Sequence, residues 1–296
     1  MRTMVLVLIA FTTAYTVHAQ PSRSKTSLAK KTHVRKMDQV RSKDGTRIAF
    51  SKEGQGPSLV LVSGALSHRA MIDTALVKKL AEHFTVYTYD RRGRGESGDT
   101  KPYAVDREIE DLESVIDHAG GKALIFGVSS GAALSLQAAK QLGPDKVLKL
   151  ALYEPPFGQP KDAYDKQKQQ INEIVRSGEP GDAAEFFLSA IGMPPEALEG
   201  MKKSPQWDAM KKMDFTLAYD YEVLGDGMVP EAAAKAITIP TLVLVGEKSM
   251  QFMHTTAESL ADLIPNGQRL TLKGQSHTVN ADVVSPLLTE FFAKAE

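Results

Sequence analysis

A chain of 296 residues, 42% hydrophobic and 24% charged, carries enough apolar side chain to bury a full core and lies outside the compositions of disordered, collagenous or coiled-coil chains. Its 36 basic and 36 acidic residues balance to zero, which leaves no electrostatic footprint for nucleic acid or an anionic surface. It contains no cysteine, so disulfides, thiol catalysis, thiolate metal sites and a lipid-modified N-terminal cysteine are all excluded.

The N-terminus reads as an address. Arg2 precedes a largely apolar stretch, 4–17, and Val17 and Ala19 are the small residues a signal peptidase reads. The stretch is short for a membrane span and is interrupted by Thr12, Thr13 and Thr16. A secretory signal peptide is therefore expected over 1–19, cut after Ala19. The expected product is secreted or periplasmic, with no stable membrane insertion. Residues 20–32 are polar, basic and aperiodic, and read as a disordered leader before a folded domain over 33–296.

Within that domain, 34–40 and 46–52 read as two strands joined by a turn at Lys43-Asp44-Gly45. A more apolar strand follows at 58–62, then helix over 75–83, strand over 85–89 and helix over 105–119. On that last helix Val105, Ile109, Leu112, Val115, Ile116 and Ala119 share one face. The apolar run 123–126 reads as a buried strand, and 132–142 is rich in strong helix formers. Another apolar strand spans 147–153. Strands alternating with amphipathic helices indicate a parallel sheet covered on both faces. From 155 to 240 the chain turns helical, polar and proline-punctuated. This is expected to be a cap inserted over the sheet, at about 157–236, with Phe186, Phe187, Leu188, Ile191 and Trp207 as its apolar underside. The sheet resumes at 241–245, with a helix over 256–264, a strand over 269–272 and a closing helix over 281–295.

Between the strand at 123–126 and its helix stands Gly127-Val128-Ser129-Ser130-Gly131. G-x-S-x-G on a strand-to-helix turn is the nucleophile elbow: Ser129 takes a strained backbone at the tip, and both glycines let strand and helix cross closely. The N–H of Ser130, at the start of the helix, faces the same space as the hydroxyl. A serine hydroxyl needs a base. Of seven histidines, His18 and His33 fall in or beside the N-terminal segments, while His83 and His118 end helices. His68 and His254 are placed in loops after strands. His277, in Gly274-Gln275-Ser276-His277-Thr278, follows the last strand on the carboxyl edge of the sheet, where catalytic groups of open α/β sheets gather. It is the candidate base. No two histidines have metal-ligand spacing, and neither a metal nor a cofactor is expected.

Here the chain resembles the α/β-hydrolase fold family, from about Val34 to the end. The resemblance implies a mostly parallel eight-stranded sheet flanked by helices, with a helical cap insertion. Asp90-Arg91-Arg92-Gly93-Arg94-Gly95-Glu96-Ser97-Gly98 resembles the family's tight structural loop after the fourth strand. Val62-Ser63-Gly64-Ala65 stands at its oxyanion loop, with Ser63 where histidine is usual, and implies the backbone N–H of Ala65 as second oxyanion donor beside Ser130. The family's acid usually lies three residues past the glycine that ends the seventh strand, and here that position is Ser249. Some members, certain haloalkane dehalogenases among them, place the acid after the sixth strand. Glu154 stands there, before Pro155 and Pro156, with hinge bracing as its structural alternative and Glu247 as the reserve acid. The reaction implied is hydrolysis of a small carboxylic ester, or a related acyl substrate, through an acyl-enzyme on Ser129, His277 and Glu154. Lactonase, amidase, carbon–carbon hydrolase and cofactor-free perhydrolase use the same triad. A member that merely binds a small ligand beneath the cap remains open, as does the oligomeric state.

Overall fold

The computed structural model describes residues 37–294; the expected signal peptide and leader fall outside the described residues, as do 33–36. Eight strands form one sheet: β1 (Asp38–Arg41), β2 (Arg47–Glu53), β3 (Ser58–Val62), β4 (Thr85–Tyr89), β5 (Ala123–Val128), β6 (Val147–Tyr153), β7 (Thr241–Gly246) and β8 (Gly267–Leu272). Their order is β1-β2-β4-β3-β5-β6-β7-β8. The β1–β2 and β2–β4 pairs are antiparallel, and every pairing from β4 through β3 to β8 is parallel. The mostly parallel eight-stranded sheet expected from the sequence is the one observed.

Continuous apolar runs build the centre of this sheet because side chains alternate faces while both faces are covered. Leu59 and Leu61 of β3, with Leu124 and Phe126 of β5, pack against α1 (Thr74–Ala81) and α11 (Ala281–Ala293) through Leu80, Val284 and Leu288. Val60, Val62 and Ile125 point the other way. They meet α2 (Val105–His118) and α3 (Ser130–Leu142) through Ile109, Leu112, Leu134 and Ala138. Each buried Val, Leu, Ile or Phe among these contributes about 1.5–3 kcal/mol.

The cap lies between β6 and β7. It comprises α4 (Lys161–Ser177), α5 (Asp182–Ala190), α6 (Pro195–Lys202), α7 (Pro205–Met213), α8 (Leu217–Leu224) and α9 (Glu231–Lys235). Pro195 and Pro205 each begin a helix, where a missing N–H costs nothing. Leu188 and Trp207 are buried, and Phe186 and Phe187 pack partly buried against the same apolar cluster. Ile191 is not part of it: as the residue ending α5 it turns outward and is exposed.

Two histidines sit differently from expectation. α10 (Gln251–Leu263) begins five residues before the expected 256, because Met253 continues the buried stripe of Ala257 and Leu260 one turn upstream. His254 is therefore helical, not in a loop. His83 lies beyond the end of α1, whereas His118 does end α2, its ring 4.7 Å from that of Phe50. Among the described residues no helix is long and apolar enough to cross a membrane.

Candidate active site

β5 passes into α3 at Ser129, whose φ of 55° and ψ of −126° are costly for a residue with a side chain. The neighbouring glycines are sterically required. A Cβ on Gly127 would stand 2.5 Å from Ser135 Oγ and 2.6 Å from the Gly131 carbonyl, and one on Gly131 would stand 2.4 Å from the Val62 carbonyl oxygen. The 63–65 loop runs across the elbow so closely that a Cβ on Gly64 would be 3.0 Å from Ser129 Cβ. Ser129 is half-buried, and its N–H donates to the Tyr153 carbonyl at 2.9 Å, which ties the elbow to the end of β6. The N–H of Ser130, first residue of α3, has no intrahelical acceptor by position.

One residue past that tie is Glu154. Its side chain is fully buried and its backbone also takes a positive φ, 49°. Its N–H donates to the Leu244 carbonyl of β7 at 3.0 Å. Oε1 accepts from the Gly246 N–H at 2.6 Å and from the Ser249 hydroxyl, while Oε2 lies 2.6 Å from His277 Nδ1. Burial alone would raise the Glu154 carboxyl. The contact and charge of His277, with the donors from Ser249 and Gly246, outweigh it and hold the pKa below the ordinary value. Glu154 thus meets His277 directly. Glu247 does not: its carboxylate accepts from the Gly274 N–H at 2.7 Å, out on the exposed loop.

The His277 loop is held from below. Tyr153, fully buried, donates its hydroxyl to the Ser276 carbonyl at 2.6 Å. Gly246 allows the close crossing, since a Cβ there would be 2.7 Å from the Gln275 carbonyl oxygen. The His277 side chain is 46% exposed, open enough for water to reach the ring. Among the described residues no hydrogen bond joins Ser129 Oγ to that ring; such pairs commonly close only on a bound substrate.

The sequence missed a layer beneath this edge. Arg91, Arg92 and Arg94 are buried, not strung along a merely tight loop. Arg91 makes a two-armed contact to Glu108 at 2.6 and 3.0 Å and reaches Asp220 of α8 at 2.9 Å. Arg92 grips Asp111 at 2.7 and 2.8 Å. Arg94 spans the Gly64 carbonyl at 2.7 Å and Asp220 at 2.8 Å. Burial would raise the Asp220 and Glu108 carboxyls, and the arginines more than offset it, so both are held low. A signal did exist in the sequence: Glu108 and Asp111 fall among the apolar positions of α2, where unpaired acids would be prohibitive. Nothing comparable marked Asp220. His68 Nδ1 stands 4.0 Å from Asp90, outside the elbow's own contacts. Among the described residues no group of three or more His, Asp or Glu side chains is gathered to hold a metal.

The same arrangement of chain is found in other proteins. A model of the alpha/beta hydrolase family matches residues 59–286. An alpha/beta hydrolase from Sphaerobacter thermophilus is 46% identical, with a TM-score of 0.77 over 86% of this chain and all of that one. The enol-lactonase of Burkholderia xenovorans, 19% identical, shares the fold with a TM-score of 0.69 over 87% of this chain and all of that one. By sequence, the 2-(acetamidomethylene)succinate hydrolase of Mesorhizobium japonicum is 25% identical over 248 residues, 80% of this chain and 87% of that protein. With the elbow, the sheet order and a family match over most of its length, this chain belongs to the alpha/beta hydrolase family.

Proposed function

We propose that the chain is a serine hydrolase that cleaves a small carboxylic ester through an acyl-enzyme, with Ser129 as nucleophile, His277 as base and Glu154 as the acid. The observation that carries this reading is the buried Glu154 carboxylate 2.6 Å from His277 Nδ1, just past the end of β6, the strand beside the elbow's. A carboxylate at Nδ1 selects the tautomer with its proton there and leaves Nε2 as acceptor for the serine proton. Ser129 Oγ then bonds to the acyl carbon as His277 takes its proton. The N–H groups of Ala65 and Ser130 stabilise the oxyanion, and His277 protonates the departing alcohol. Water, deprotonated by the same imidazole, attacks the acyl-enzyme and releases the acid and Ser129. His277, 46% exposed, is within reach of that water.

Reaction of wild-type protein, but not of Ser129→Ala, with a fluorophosphonate probe tests the nucleophile. Ester turnover should fall by about four to six orders of magnitude in Ser129→Ala, since nucleophile and base act as a unit. Labelling or turnover that survives the substitution would end the proposal. The second reading is the same triad acting on an amide or an enol lactone, favoured by the names of the Mesorhizobium and Burkholderia relatives. A panel of p-nitrophenyl esters, anilides and lactones separates the two by relative kcat/KM. We also propose that the enzyme works outside the cytoplasm, the apolar stretch before Ala19 and the small residues Val17 and Ala19 supporting export. Intact mass of protein recovered from the cell envelope should give a start near Gln20, and a start at Met1 refutes cleavage.

A further inference from the structure

In the oxyanion hole proposed above, the donors are two backbone N–H groups, and a planar peptide fixes each N–H opposite the carbonyl of the preceding residue. The Ala65 N–H belongs to the peptide unit of the Gly64 carbonyl, and that oxygen accepts from Arg94 Nη1 at 2.7 Å. The carbonyl one residue earlier, Ser63 O, accepts from Arg91 Nη1 at 3.3 Å. The Ser130 N–H belongs to the unit of the Ser129 carbonyl, which accepts from Ala132 N–H at 2.9 Å. Ser130 itself is fixed through its hydroxyl, which donates to Asp220 at 2.7 Å and accepts from Arg91 at 3.2 Å. These threads meet in a single atom. Asp220 Oδ1 takes Arg91 at 2.9 Å, Arg94 at 2.8 Å and Ser130 at 2.7 Å.

Asp220 is not part of the sheet or its loops. It sits on α8 of the cap, and it is buried. Arg91 has a second carboxylate in Glu108, but the carboxylate that Arg94 meets among the described residues is Asp220 alone. We infer that Asp220 is a positioning residue for the oxyanion hole: from the cap it holds Arg94 on the Gly64 carbonyl and Ser130 at the helix start, so that both N–H donors aim at one point. α8 is thereby a fixed strut of the active site and not part of a lid that lifts. Tyr219, its neighbour on α8, stacks on Tyr103 with centroids 3.8 Å apart and an interplanar angle of 4°, which fastens the same helix to the main sheet domain.

A charge-only role gives the opposite sign. Arg91, Arg94, Glu108 and Asp220 together are neutral, so removing the Asp220 charge would leave a positive excess beside the developing oxyanion. Charge alone would then speed acylation, whereas mis-aimed donors slow it.

The inference rests on the serine-hydrolase reading, and its test separates the two. Asp220→Asn, Ser130→Ala and Arg94→Lys are compared with Ser129→Ala, using the rate of fluorophosphonate labelling, kcat and KM for p-nitrophenyl acetate, and the Ki of a small boronic acid that forms a tetrahedral adduct. Loss of one oxyanion donor costs about two to three orders of magnitude in kcat, and mis-aiming rather than deleting the donors should cost less. Asp220→Asn should lower kcat and the labelling rate about tenfold to a hundredfold, with KM within about threefold and the boronate Ki raised by a similar factor. Ser130→Ala, which keeps the backbone donor and cuts only the hydroxyl link, should show the same pattern at about three- to tenfold. A merely structural residue would lower the melting temperature and leave kcat, labelling and Ki of the folded enzyme unchanged. That result, or a faster enzyme, overturns the inference. Should Asp220→Asn not fold, unchanged kcat and Ki in both Ser130→Ala and Arg94→Lys overturn it equally. A labelled and active Ser129→Ala would instead sink the hydrolase reading itself.

Discussion

The most informative single change is Glu154→Gln. Glutamine keeps the shape and the strained backbone but must place one carbonyl and one amino group where there were two carboxylate oxygens. Oε1 faces two donors, the Gly246 N–H and the Ser249 hydroxyl, so the amide carbonyl is drawn there. The amino group then faces His277 Nδ1 in place of Oε2. Two donors cannot share that 2.6 Å contact, so Nδ1 must become the acceptor and the proton moves to Nε2. That is the tautomer that cannot take a proton from Ser129. The analogous aspartate-to-asparagine change in a serine protease triad costs about four orders of magnitude in kcat, which corresponds to about 5.4 kcal/mol of transition-state stabilisation. Stability should change far less, by about 1–2 kcal/mol, because the three hydrogen bonds of the carboxylate persist in neutral form, a neutral amide is cheaper to bury than a charge, and no cavity forms. The assay is kcat/KM on p-nitrophenyl acetate beside thermal unfolding, with Glu247→Gln run in parallel. Glu247 holds only an exposed loop N–H, so its loss should cost at most a few-fold. The reverse ranking would refute the assignment of the acid, and a large stability loss with turnover intact would make Glu154 a brace for the cap hinge.

Three further outcomes follow from the same geometry. Ser249 stands where the family usually carries its acid and donates to Glu154, the acid proposed in its place, so Glu154→Gln/Ser249→Asp should recover at least about tenfold of the activity lost in Glu154→Gln; steady-state kinetics showing no recovery would mean the β7 loop cannot present a carboxylate to His277. Gly131→Ala should cost about 3 kcal/mol or more by denaturant unfolding, because its Cβ would stand 2.4 Å from a backbone oxygen that cannot move aside; a fully stable variant would refute the close crossing at the elbow. Acid titration of stability should show two opposed effects. Glu154, Glu108 and Asp220 have folded pKa values below the ordinary ones, so their contribution is present above about pH 4 and is lost as pH falls through the lower folded values. Asp111, pushed up to about 6 by burial against the pull of Arg92, takes its proton first in the folded state and so adds stability as pH falls from about 6 toward 4. Asp111→Asn should remove that rise and leave the steeper acid loss in place.

Local chemistry determined a good part of this protein from sequence alone. The elbow was legible because its demands are local: a positive φ at Ser129 and two positions without Cβ, all within five residues on a strand-to-helix turn. The strand order of the chain was legible because apolar runs of β5 and β7 are buried on both faces, a pattern that does not depend on which neighbours cover them. His277 could be placed on the carboxyl edge from its position after the last strand. The sequence ranked Glu154 ahead of Glu247 as the acid but could not show which carboxylate meets His277, because that depends on where each side chain points across a gap of 123 and 30 residues. Only the tertiary structure brings one of them, Glu154, within 2.6 Å of His277 Nδ1. The same limit hid the arginine layer. Arg91 and Arg94 read as charges on a turn, and burial is tolerable for them only because Glu108 and Asp220 arrive from a helix and from the cap, 17 and 126 residues away. A buried charge is stable only with its partner, and the partner's approach is a property of packing that no local pattern records.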